Sequence, residues 1–190
     1  MAAFLMASLA VVRKTFFWKT RLDLPMFFWG AAFLLFEFQN ISKASLLFGL
    51  TWKTNMIIIS AALIFILLAN FAVRKKLFSS KTALVLLVAS LLVQLVFPLH
   101  ALNRWAFFPK LFLGGALLNF PFFFGGAIFA EWFNTSKDRS SAFASNLIGS
   151  AFGGLLEMFS FLLGIKALLV IALALYIAGW FTRNSRFAVK

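Results

Sequence analysis

Six runs of apolar residues, separated by short basic segments, leave this chain few ways to fold. They cover about 25–43, 54–73, 82–102, 111–133, 142–163 and 165–181. Each is roughly the ~20 residues that cross a ~30 Å hydrocarbon core as a helix. The sequence is 63% hydrophobic and only 12% charged, against about 45–50% apolar in soluble domains. A water-soluble core of 190 residues cannot bury that much apolar surface, so lipid must be the solvent. In lipid the backbone has to satisfy its own hydrogen bonds, which makes every span helical. The expected fold class is therefore all-α integral membrane: about six transmembrane helices in a polytopic bundle, plus a short N-terminal interfacial helix.

Three regions follow. Residues 1–24 join a 12-residue apolar start, too short to span, to the basic-aromatic run RKTFFWKTR, which suits the headgroup level. Residues 25–182 form one transmembrane domain, and 183–190 a basic tail. No basic leader precedes the apolar start and no small-residue cleavage site follows it, so it does not read as a signal peptide.

The net charge is +13. Its cations sit between apolar runs, which points to topology and anionic lipid headgroups, not to nucleic acid. With 13–24 inside, thirteen Lys/Arg fall on the inner side. Lys43, Lys53, Arg104, Lys110 and Lys166 fall outside. Six spans then bring both termini to the cytoplasm. Trp52, Trp105, Trp132 and Trp180 lie at span ends, as in an aromatic belt.

Several polar residues interrupt this pattern. Glu37 lies about 16 Å into its span, near the midplane, where a carboxylate costs ~2.5–3.5 kcal/mol on insertion scales. It must face protein or water, or be protonated. Asn40 shares its face at i+3 and Gly30 at i−7. Lys43, close to the outer interface, is expected to snorkel. In the fifth span Ser145, Gly149, Gly153 and Glu157 recur every four residues, with Asn146, Ser150 and Gly154 as the next row. The small members suit close helix packing, and Gly149–Gly153 is a GxxxG pair. The first and fifth spans run the same way, so Glu37 and Glu157 are expected at similar height, with Lys166 near Glu157. Pro121 is expected to break the fourth helix beside Asn119, freeing a carbonyl one turn earlier.

The candidate ligand or proton site is thus Glu37, Asn40, Asn119, Asn146 and Glu157. Gly30, Ser145, Gly149, Gly153 and Gly154 are the packing residues, and Pro121 the helix break. The chain has no cysteine and one histidine. That excludes thiol chemistry and the usual zinc sites, and no metal or cofactor is expected. The glycine pairs lie inside membrane helices and not after strands, so they are not phosphate loops. Loops of about ten residues cannot assemble a catalytic set, and the chain does not read as an enzyme.

The runs 27–73 and 121–176 resemble the C-terminal membrane region of bacterial spermidine synthase-like membrane proteins. In these, hydrophobic helices are joined to a soluble polyamine aminopropyltransferase-like domain. Matching residues are Glu37, then Thr51, Trp52 and Asn55, then Asn146, Leu147, Gly149, Gly153, Gly154, Leu155 and Glu157. Gln39 departs from the family, which commonly has a basic residue there. No stretch of this sequence corresponds to the soluble catalytic domain, and the apolar start fits a trimmed helix. The resemblance therefore implies a membrane module of the bacterial inner membrane without aminopropyl transfer. Two classes of function follow. One is a non-catalytic module with an intramembrane acidic site for a proton or organic cation, as in polyamine transport or sensing. The other is a structural or anchoring subunit of a membrane complex, or the membrane half of a split spermidine synthase-like system. Partners are then the bilayer, a protein, or a second copy.

Overall fold

A computed structural model describes residues 22–188. The expected N-terminal interfacial helix lies outside the described residues. Seven α-helices follow in order: α1 (Leu24–Phe48), α2 (Trp52–Arg74), α3 (Ser80–Val96), α4 (Phe107–Thr135), α5 (Arg139–Leu156), α6 (Ser160–Leu163) and α7 (Ile165–Ala188). The 3-10 turn Glu157–Phe159 joins α5 to α6 into one 25-residue apolar segment. No strand occurs among the described residues. The protein is an all-α membrane bundle: among the described residues five segments are long and apolar enough to cross a bilayer, and α3 is a shorter apolar helix.

Local chemistry sets the helix ends. Thr51, Ser79 and Asp138 cap α2, α3 and α5, each side-chain oxygen accepting the N–H three residues on at 3.1–3.2 Å. α1 continues past Lys43 to Phe48, where Gly49 at φ 86° turns the chain. The third span was expected to reach residue 102. It stops at Val96 because Pro98 forces Phe97 out of the helical region (ψ 125°), and Leu99–Arg104 forms a 3-10 helix. α7 runs through residues read as tail, to Ala188.

The bundle is built around α1 and α4, the two most enclosed helices. α1 packs on α5 and α7, and α4 on α2 and α3. The two inner helices meet through aromatic side chains. Phe33 and Phe36 flank Phe122 at 5.0 and 4.7 Å. Trp29 is wholly buried, packs on Trp132 and Tyr176, and donates its indole N–H to the Gly125 carbonyl at 3.1 Å. Trp132 is therefore a core residue and not a member of an aromatic belt: it is 3% exposed, stacked on Trp180 with Arg183 above it. Trp52 and Trp105 are exposed at helix ends. Leu63, Leu67, Phe112 and Leu162 point outward, which in lipid costs nothing.

α1 and α5 are parallel. A Cβ added to Gly149 would run into the Phe27 carbonyl, and one on Gly153 into the Ala31 carbonyl, one turn further along both helices. Gly30 lies equally close to the Asn146 carbonyl. Gly154 is different: its nearest neighbours are the Leu34 and Phe38 side chains at 3.5 and 3.8 Å. Polar side chains of α5 complete the seam. Asn146 Nδ2 donates to Met26 O at 3.3 Å and Ser150 Oγ to Gly30 O at 3.2 Å. Ser145 Oγ accepts the Asp23 N–H and donates to Ser141 O, both at 2.8 Å.

Candidate functional site

Two prolines organise the polar interior. Pro121 sits inside α4, yet the helix passes through it without a break, contrary to the expected interruption. Proline has no N–H, so the Leu117 carbonyl one turn back loses its helical partner. Gln94 on α3 supplies a replacement: its Nε2 donates to Leu117 O at 2.8 Å and to Leu118 O at 3.0 Å. The same absence recurs in α3. The Gln94 carbonyl would accept from residue 98, which is Pro98. Lys43 Nζ donates to it instead, at 3.1 Å. A cation there also faces the negative end of the α3 dipole. Each proline thus frees a carbonyl, and each carbonyl is taken by a side chain from another helix, with Gln94 common to both.

Lys43 does not snorkel outward. It is 5% exposed and directed into the bundle. One turn back along α1, on the same face, are Gln39 and Asn40, both fully buried. Asn40 Nδ2 donates to Asn119 Oδ1 at 3.3 Å, and Asn119 Nδ2 to Gly115 O at 2.8 Å. Gln39, Asn40, Lys43, Gln94 and Asn119 thereby form a polar cluster where α1, α3 and α4 converge. Its hydrogen-bonding capacity is not met: both amide atoms of Gln39, Asn40 Oδ1 and Gln94 Oε1 have no partner among the described residues.

Of the sequence-predicted site, Asn40 and Asn119 are brought together. Asn146 lies elsewhere, in the α1–α5 seam beside Met26 and Gly30, about 15 Å along α1 from Asn40 at 1.5 Å per residue. Glu37 is half-buried, between the α1 surface that meets Gly154 through Leu34 and Phe38 and the surface that meets Phe122 through Phe33 and Phe36. Glu157 is half-buried where α5 gives way to the 3-10 turn. With Ala31 opposite Gly153, the register puts the two acids at heights within about 3 Å of one another. No hydrogen bond or ion pair joins them among the described residues, and none joins Glu157 to Lys166.

The sequence reading missed Gln94, left Gln39 out of the candidate site and expected Lys43 to snorkel. Gln94 carried a usable signal: it is the one amide in the apolar run of α3, four residues before a proline. The burial of Lys43 predicts a labelling pattern. With an amine-reactive reagent on protein in nanodiscs, Lys53 and Lys166 should modify fully under conditions that leave Lys43 intact. Equal labelling, read by peptide mass spectrometry, would contradict its placement.

Comparison with protein-family models, curated proteins and solved structures finds no match to the chain.

Proposed function

We propose that the chain is a non-catalytic module of the bacterial inner membrane, with both termini in the cytoplasm, that holds a proton or an organic cation in an intramembrane polar site. The unmet hydrogen-bonding capacity of Gln39, Asn40 and Gln94 carries this reading. A buried polar group left without a partner costs about 1–3 kcal/mol; Gln94 Nε2 serves the Leu117 carbonyl, but packing gives no use for the Gln39 amide or for the free oxygens of Asn40 and Gln94. Intramembrane polar groups of this kind mark substrate and ion pathways.

The free oxygens, Asn40 Oδ1 and Gln94 Oε1, are acceptors and suit an N–H donor. Glu37, three residues before Asn40 on α1, supplies the one negative charge of the first span. Lys43, bound to the Gln94 main chain, holds the other side of the cluster, so an incoming cation takes the Glu37 side. The resemblance to spermidine synthase-like membrane regions makes a polyamine the first ligand to test.

The test is calorimetric titration of spermidine into the protein in nanodiscs of neutral lipid. Saturable binding that is lost in Glu37→Gln and weakened in Asn40→Ala, with both variants melting like the wild type, is the expected result. Absence of saturable binding, or binding indifferent to Glu37→Gln, would overturn the cation site and leave the anchoring-subunit reading.

A further inference from the structure

A second feature lies at the end of the bundle where α1 and α3 finish and α7 begins. There a cavity of about 480 Å³ opens between the helix ends. Lys43, Gln94, His100, Asn103 and Lys166 line its polar side, and residues such as Leu46 and Phe97 its apolar side. No carboxylate lines it. Ile165 and Lys166, the first residues of α7, are also in the wall. The N-terminus of that 24-residue helix, with its free N–H groups, therefore adds to the positive potential. Gly164, at φ 81°, makes the reversal that brings the α7 start here.

Two lysines facing one cavity repel each other, and no acid lines it to relieve them. Lys43 spends one of its three N–H donors on the Gln94 carbonyl. Lys166 and His100 are exposed and have no hydrogen bond or ion pair among the described residues. Topology does not account for these charges either. In the topology expected from the sequence only five of the eighteen Lys/Arg fall on this side, and Lys43 and Lys166 are two of those five.

We infer that this cleft binds an anionic amphiphile: a phosphate-bearing headgroup held by Lys43, Lys166 and His100, its acyl chain laid along Leu46 and Phe97. A phosphate is the complement of clustered N–H donors without a carboxylate. The mixed wall explains why the ligand would carry a tail. The cleft shares Lys43 and Gln94 with the polar cluster, but its ligand has the opposite charge and it does not depend on Glu37.

The experiment is native mass spectrometry of the delipidated full chain titrated with dioleoylphosphatidylglycerol, dioleoylphosphatidylcholine or inorganic phosphate. One high-affinity phosphatidylglycerol per chain is expected, bound about tenfold more tightly than phosphatidylcholine. Lys166→Gln should weaken it by about fivefold, and His100→Gln less. Lys75→Gln, at the opposite end of the bundle, should leave it unchanged. Equal retention of the two lipids, or equal loss in Lys75→Gln and Lys166→Gln, would reduce the effect to general attraction and overturn the proposal. Inorganic phosphate binding as tightly as the lipid and displacing it would assign the cleft to a soluble anion and overturn the amphiphile. Because Lys166 lies outside the Gln39–Asn119 cluster, retained spermidine binding in Lys166→Gln separates failure here from failure of the cation site.

Discussion

Gly149→Ala should lower the stability of the protein by about 3 kcal/mol or more, the upper end of what overpacking costs, whereas Gly154→Ala should change it little. The two positions are five residues apart on one helix and both read as packing glycines, but their surroundings differ. At Gly149 an added methyl meets the carbonyl of Phe27, a backbone atom that can move only if α1 moves. At Gly154 it meets the ends of Leu34 and Phe38, at ordinary contact distance. Displacing α1 by a few tenths of an ångström would also stretch the Asn146–Met26 and Ser150–Gly30 hydrogen bonds, already 3.3 and 3.2 Å. Unfolding in mixed micelles, followed by circular dichroism, reads the difference. Equal effects at the two glycines would mean that the helices are not in backbone contact.

Gln94→Leu should destabilise by about 2 kcal/mol, since it leaves the Leu117 carbonyl buried without a donor, and Pro121→Ala should cancel part of that loss. Alanine at 121 restores the N–H that proline lacks, so Leu117 O regains its helical partner and needs Gln94 less. The coupling in a double-mutant cycle is expected at about 1 kcal/mol. Lys43→Met serves as the control, because Lys43 binds the main chain of Gln94 and not Leu117. It should show no coupling to Pro121→Ala. Additive losses for Gln94 and Pro121 would show that the glutamine is not serving the proline.

What the sequence made legible follows from how far each signal reaches. The apolar runs report only on helix and solvent, so the helical bundle and its approximate spans were visible before any contact was known. The stripe Ser145–Gly149–Gly153 repeats within one helix and announced a close neighbour. It did not say which helix that neighbour was. Pro121 announced a free carbonyl at Leu117. Three things were hidden. Helix continuity at Pro121 depends on Gln94, which reaches the Leu117 carbonyl from 23 residues away on another helix. Burial of Lys43 depends on Pro98, which both shortens α3 and exposes the carbonyl that Lys43 takes. Trp132 sits at a span end by residue count, yet Trp29 and Trp180 enclose it. In each case the deciding partner lies on a different helix, and spacing along one helix cannot encode it.

The parallel seam between α1 and α5 also fixes an order of events during synthesis. Its hydrogen bonds join residues 120 positions apart, so α1 enters the bilayer first and waits while three further apolar helices emerge. In that interval its Gly30 surface has no neighbour, and the carbonyls of Met26 and Gly30 lack their donors from Asn146 and Ser150. Asn40 and Lys43 find Asn119 and the Gln94 carbonyl earlier, when α3 and α4 arrive. The bundle therefore closes in two stages, the polar cluster before the glycine seam. With α4 in the bilayer and α5 and α7 still to come, the polar cluster is made while the surfaces of α1 that take α5 and α7 are bare, the form a membrane protease or chaperone would meet.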